Sequence, residues 1–186
     1  MRAAYLSIAA AVCAAPALAA PIEFTHFGSG SGTIDGVSFS TTFTITAVGN
    51  TDDRVDIGFG YFIDHLSASI TIGSIGTYDF ITATRTFVNN SNQIVGFSRA
   101  GISGADLFNG PIDPFFASWD MTTSTDFITG SGNLLQWGLS DVVTSGGVLY
   151  FDDFTTDAAF VATIVPAPAS IGLLALTGLA ATRRRR

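Results

Sequence analysis

The sequence predicts an all-β body, an antiparallel β-sandwich or jelly roll, flanked by an N-terminal signal peptide and a C-terminal transmembrane helix. Three observations predict the body. Helix formers are scarce: lysine is absent, Glu23 is the one glutamate, and twenty glycines are scattered among abundant Thr, Val, Ile and Phe. Apolar residues alternate with threonine and serine in several runs, as one buried and one wet strand face require. Turn-forming clusters interrupt those runs at short intervals, which favours many short antiparallel strands over a few long ones.

The elements follow in chain order. Arg2 gives a positive start, Ala3 to Ala15 is almost wholly apolar, and Ala17-Leu18-Ala19 places small residues where a signal peptidase reads them. Cleavage is expected after Ala19, leaving Ala20 as the first residue of an exported domain, 20–164. Within it, Thr42 to Ala47 and Leu66 to Ile72 alternate cleanly. Phe115, Ala117, Trp119 and Met121 fall on one face of a further expected strand, with Phe116, Ser118, Asp120 and Thr122 opposite. Ala158, Phe160, Ala162 and Ile164 mark the last strand. Turns are expected at Gly28 to Gly32, Gly49-Asn50, Gly73 to Gly76, Asn89 to Asn92, Gly101 to Gly104, Gly130 to Gly132 and Ser145 to Gly147. About ten strands result. Sixteen phenylalanines, with Trp119 and Trp137, supply the core.

Charge and cysteine usage limit the function classes. The whole chain carries a formal −7, but the body holds all fifteen acidic residues and only Arg54, Arg85 and Arg99, a formal −12. Such a surface repels phosphate backbones, so no nucleic-acid partner is expected. Cys13, the one cysteine, lies in the signal peptide, so the body has neither disulfide nor cysteine zinc site and stands on its core alone.

The tail, 165–186, has three parts: Val165-Pro166-Ala167-Pro168-Ala169, an apolar segment of about 166–182, and Arg183, Arg184, Arg185 and Arg186. Val165 to Ala181 makes roughly 25 Å of helix, short for a span, and local thinning with snorkelling arginines closes the gap. Four guanidiniums resist translocation, so they form a cytoplasmic stop and the body lies outside the inner membrane. In this order of parts the tail resembles the PEP-CTERM sorting signal of exopolysaccharide-producing bacteria, as a Val-Pro-x-Pro-Ala variant with Ala167 where the usual glutamate stands. The resemblance implies an exosortase-type sorting enzyme as partner. It also implies inner-membrane anchoring before processing, then a place at the cell surface or in the extracellular matrix.

Residues with chemical potential are few. His26 and His65 are the only histidines, and Asp64, adjacent to His65 on a strand, points to the opposite face and is not placed to orient the imidazole, so both read as structural. Gly28-Ser29-Gly30-Ser31-Gly32 contains the letters of a nucleophile elbow without the strand-to-helix context that mechanism needs. A hydrolase using aspartates would start from Asp120, but glycoside hydrolysis needs a paired carboxylate, and backbone capping explains Asp120 equally. Two acidic groups, Asp52, Asp53 and Asp56, and Asp152, Asp153 and Asp157, read as solvated turns; calcium is the alternative, and no other cofactor is expected. Thr42, Thr44 and Thr46 share a strand face, as do Thr82, Thr84 and Thr86, forming hydroxyl rows that face water or polysaccharide. The expected function is a non-catalytic structural protein of the cell envelope or polysaccharide matrix. The alternative is a carbohydrate-binding module with glycan contacts at Trp119, Asp120 or Trp137.

Overall fold

The computed structural model describes residues 20–101, 105–152 and 154–165. The expected signal peptide 1–19, residues 102–104 of the expected Gly101 to Gly104 turn, Asp153 and residues 166–186 of the expected tail lie outside them. The strands are β1 (Pro21–Ile34), β2 (Val37–Asn50), β3 (Val55–Asp56), β4 (Gly60–Asp64), β5 (Ser67–Ile72), β6 (Gly76–Asp79), β7 (Thr84–Asn89), β8 (Ile94–Arg99), β9 (Asp106–Ile112), β10 (Ile128–Leu134), β11 (Val142–Thr144), β12 (Gly147–Phe151) and β13 (Phe154–Ile164). Among the described residues there is no α-helix, only three short 3₁₀ turns.

All strand pairings are antiparallel and belong to one sheet, in the order β3-β4-β7-β8-β9-β10-β13-β1-β2-β5-β6, with β12 added to β1 and β11 to β12. Two separate stacked sheets, as a sandwich would have, do not form. The single sheet curls instead, because its right-handed twist accumulates over many strands. At one end Phe80, just past β6, bridges to Thr144 of β11, so that β1, β2, β5, β6, β11 and β12 make a ring. At the corner between β4 and β5, the His65 amide donates to the Thr84 carbonyl (2.9 Å) and the Leu66 amide to the Val48 carbonyl (2.8 Å), drawing β7 and β2 together.

The inside of the curl is the core, in two clusters. Phe43, Ile70, Phe97, Phe108, Trp137 and Phe151 belong to one, and Phe24, Ile63, Phe116, Trp119, Met121 and Phe160 to the other. Among the described residues the two clusters run from Ile22 to Ala162, with Ile164 packed against the second.

Two expectations fail locally for physical reasons. The Gly28 to Gly32 stretch is not a turn: it lies inside the 14-residue β1, and Asp35-Gly36, both at positive φ, makes the hairpin turn into β2. The glycines are there for close approach. A Cβ at Gly28 would lie 2.6 Å from the Phe43 ring, one at Gly30 2.5 Å from Leu134, and one at Gly32 2.0 Å from the Tyr150 carbonyl oxygen. Gly32→Ala should therefore cost about 3 kcal/mol, the upper end for overpacking against backbone. Urea unfolding measures it, and an unchanged midpoint would contradict this role. Gly130 and Gly132 are likewise strand residues, in β10.

The strand expected at 115–122 is also absent. Pro114 opens a 3₁₀ turn, Pro114–Ala117, capped by the Asp113 carboxylate accepting from the Phe115 amide at 2.8 Å. Burial then follows a three-residue step, Phe116 to Trp119, rather than the two-residue alternation of a strand.

Candidate functional site

Trp119 and Trp137, expected in the core and, in the alternative reading, as glycan contacts, are 3% and 2% exposed, and both are core residues. Their indole N–H groups are spent internally, Trp119 Nε1 on the Thr123 carbonyl (3.0 Å) and Trp137 Nε1 on the Leu107 carbonyl (2.8 Å). Asp120 is an acceptor hub. One oxygen takes the Thr122 hydroxyl (2.6 Å) and amide (3.1 Å), the other the Arg54 guanidinium (2.7 Å). Partial burial pulls its pKa upward, but these donors outweigh that and hold the carboxyl below its ordinary value. It stays ionised and tied down.

Asp153 of the second acidic group lies outside the described residues. Among the described residues no group of three metal-ligating side chains forms. Asp52, Asp53 and Asp56 are exposed in and after the turn following β2, and the Asp56 carboxylate accepts the Gly58 amide at 2.7 Å. Asp152 accepts from the Ser31 hydroxyl at 2.7 Å.

His26 and His65, 39 positions apart in the sequence, come together at Thr86. Thr86 Oγ1 lies 3.1 Å from His26 Nε2 and 2.9 Å from His65 Nε2, and Thr84 Oγ1 is 2.9 Å from His65 Nδ1. The Thr82-Thr84-Thr86 row therefore does not face solvent: Thr84 and Thr86 are buried, and Thr82 accepts the Val143 amide at 2.8 Å. The imidazoles sit where the two core clusters meet, His26 4.9 Å from Phe160 and His65 stacked 5.5 Å from Phe97, centroid to centroid. Burial pushes both pKa values down to about 3, with mutual repulsion and Arg85 adding to the effect on His65.

Two proton arrangements fit these contacts. In one, His65 Nδ1–H donates to Thr84, the Thr86 hydroxyl donates to His65 Nε2, and His26 Nε2–H donates to Thr86, which leaves the Thr84 hydroxyl hydrogen and the His26 Nδ1 lone pair without partners. In the reverse order every hydroxyl is used and the His26 Nδ1–H is left over.

What the described surface does offer lies on the outside of β1 and β2. The alternation in Thr42 to Thr46 places these hydroxyls outward, as expected, and the register sets Ser29 beside Thr42, Ser31 beside Ser40, Thr25 beside Thr46, and Thr44 beside Thr71. Comparison with protein-family models, curated proteins and solved structures gives no match. The assignment of a site rests on geometry alone.

That geometry centres on a split in the sheet. β13 pairs with β1 from Ile22 to Phe27, and β12 takes over from Gly32 to Ile34. Over the gap, Thr156 Oγ1 accepts the Ser29 amide (3.1 Å), and the Asp152 amide donates to the Ser31 carbonyl (2.9 Å). A trough opens there in two compartments of about 640 and 450 Å³ that share Ser29 and Thr42. Phe27 and Phe127, edge to face with centroids 5.5 Å apart, wall the larger compartment, and Phe154 the smaller.

Proposed function

We propose that the chain is an exported, non-catalytic structural protein of the cell envelope or extracellular polysaccharide matrix. In this reading signal peptidase cuts after Ala19. Segment 166–182 then holds the protein in the inner membrane, with Arg183 to Arg186 on the cytoplasmic side, until an exosortase-type enzyme acts at Val165 to Ala169. No cofactor is assigned.

One observation carries the reading. The two ends of the sheet are neighbours: Ile22 pairs with Ile164, and the Val165 amide donates to the Pro21 carbonyl at 2.8 Å. The described residues that border the expected leader cut and the expected sorting motif thus lie side by side, which suits a domain tethered to one membrane at both ends during export. Among the described residues no helix is long and apolar enough to cross a membrane, and the apolar segment falls outside them. A hydrolase draws no support from Asp120, which is bound to Arg54 and Thr122, or from two imidazoles enclosed by core aromatics.

Mass spectrometry of protein recovered from the cell surface and the medium tests the proposal. The expected species begins at Ala20 and ends near the proline motif. A full chain found in the cytosol with both ends intact refutes it.

A further inference from the structure

We infer that the trough over β1 and β2, flanked by Phe127 and Phe154, binds a linear polysaccharide free of acidic groups. The inference deepens the matrix reading by naming what the exported body would hold, and it rests on features of the trough itself.

Its lining fits sugar rings. Phe127 and Phe154 are 60% and 54% exposed, the two most exposed phenylalanines of the described residues, where eight others are buried. Each offers an apolar ring to the C–H face of a pyranose, and Phe27 braces Phe127. Between the rings the exposed hydroxyls of Ser40, Thr42 and Thr129 supply paired donor and acceptor capacity, which matches sugar hydroxyls.

Other occupants fit less well. An extended peptide adding to the sheet needs free main-chain groups, but the Ser29 amide and Ser31 carbonyl are already taken by Thr156 and Asp152, and β2 pairs the other edge of β1 throughout. Acidic sugars meet Asp157 in the wall and Asp152 beside Ser31, with no cation to balance them. The three arginines of the body are committed elsewhere, Arg54 to Asp120, Arg85 to Asp64, and Arg99 to buried carbonyls. The two compartments join at Ser29 and Thr42, so the trough is long rather than cup-shaped and accepts a chain, not a single ring. It also faces away from the tethered pole: Ser29 is eight residues along β1 from Pro21, about 25 Å.

The test uses the full chain in lipid nanodiscs on a glycan array containing neutral, amino-sugar and uronic-acid polymers. Calorimetry with the brightest hexasaccharide then follows on the wild type and on Phe127→Ala, Phe154→Ala and Thr42→Gln, the last narrowing the junction of the compartments. Signals are expected from non-acidic glycans only, and each variant should weaken binding by about tenfold or more. Unchanged near-ultraviolet circular dichroism and melting temperature show that the variants are folded, since all three positions are exposed. A blank array, brightest signals from uronic-acid polymers, or variants that bind like the wild type would each overturn the inference. A correctly processed surface protein that binds no glycan defeats this inference alone, whereas an unprocessed cytosolic chain defeats the matrix reading whatever the trough holds.

Discussion

Acidification from pH 7 to pH 5 should cost the folded body about 4 kcal/mol, far more than a protein of this charge would lose through its carboxylates in the same range. The cause is the imidazole pair. In the unfolded chain His26 and His65 titrate near 6.5, whereas in the fold both are held neutral down to about 3. Between these values the unfolded state binds more protons than the native state, so stability is complete above pH 6.5 and falls as pH drops toward 3. One proton is worth about 1.4 kcal/mol per pH unit, hence about 2 kcal/mol for each histidine at pH 5.

The charged groups near the pair do not rescue it. Arg85 opposes protonation of His65, and Asp64 is already engaged by Arg85 at 3.0 Å. Asp106, pushed up by burial, works in the opposite sense, because the native state holds its proton more tightly than the unfolded chain, but it is one carboxyl against two imidazoles. Urea unfolding at half-unit steps from pH 7 to 5 reads the slope directly. Below pH 6 it should approach two protons, and His65→Gln, which keeps a donor and an acceptor but does not titrate, should bring it to about one. A flat profile in the wild type would mean that the histidines are not enclosed as described.

The sequence disclosed its patterns unevenly, and the reasons are physical. Alternation in Thr42 to Ala47 and Ala158 to Ile164 located strands whose inner face is fully covered, because burial on one side leaves a period of two in the residues. Glycine was ambiguous. Gly28, Gly30 and Gly32 are needed where rings and a neighbouring strand press against β1, yet the same letters read as a loop, while the real turn, Asp35-Gly36, carried a known hairpin signal that the richer glycine run outweighed.

The aromatics were legible in part. Trp119 and Trp137 belong to the core as their size predicts for a cysteine-free domain, and the alternative of glycan contact at these two fails because both are buried. Of the trough residues Thr42 was legible as an outward hydroxyl, but Phe27, Phe127 and Phe154 gave no signal, since they come to one surface only through the pairing of β1, β10 and β13. Nor did Thr86 announce that it faces inward to two histidines. Residues far apart in sequence become neighbours only when the sheet order is known.

Arg99 shows how much can depend on such a neighbourhood. It closes β8 with 1% of its surface exposed and no carboxylate partner. Its guanidinium donates to the carbonyls of Gln136 (3.1 Å) and Trp137 (2.9 Å), and to that of Ser140. Burial lowers its pKa, but an arginine starts high enough to stay charged. These three carbonyls belong to the segment around the 3₁₀ turn Trp137–Leu139, entered through Gln136 in a left-handed conformation. Arg99 therefore holds the turn that lowers the Trp137 ring into the core, 4.8 Å from Phe151.

Arg99→Ala would leave those acceptors unpaired and open the space beneath them, at an expected cost of about 3–5 kcal/mol. That is a large part of the margin of an ordinary domain. Arg99→Lys should recover less than half, because one ammonium does not reproduce a planar fork spread over three carbonyls. In a Trp119→Phe background, where Trp137 alone fluoresces, both variants should shift emission to the red at temperatures below the main melting transition, as the turn releases its tryptophan before the sheet opens. A blue, unshifted spectrum with wild-type melting would show that the turn stands without its cation.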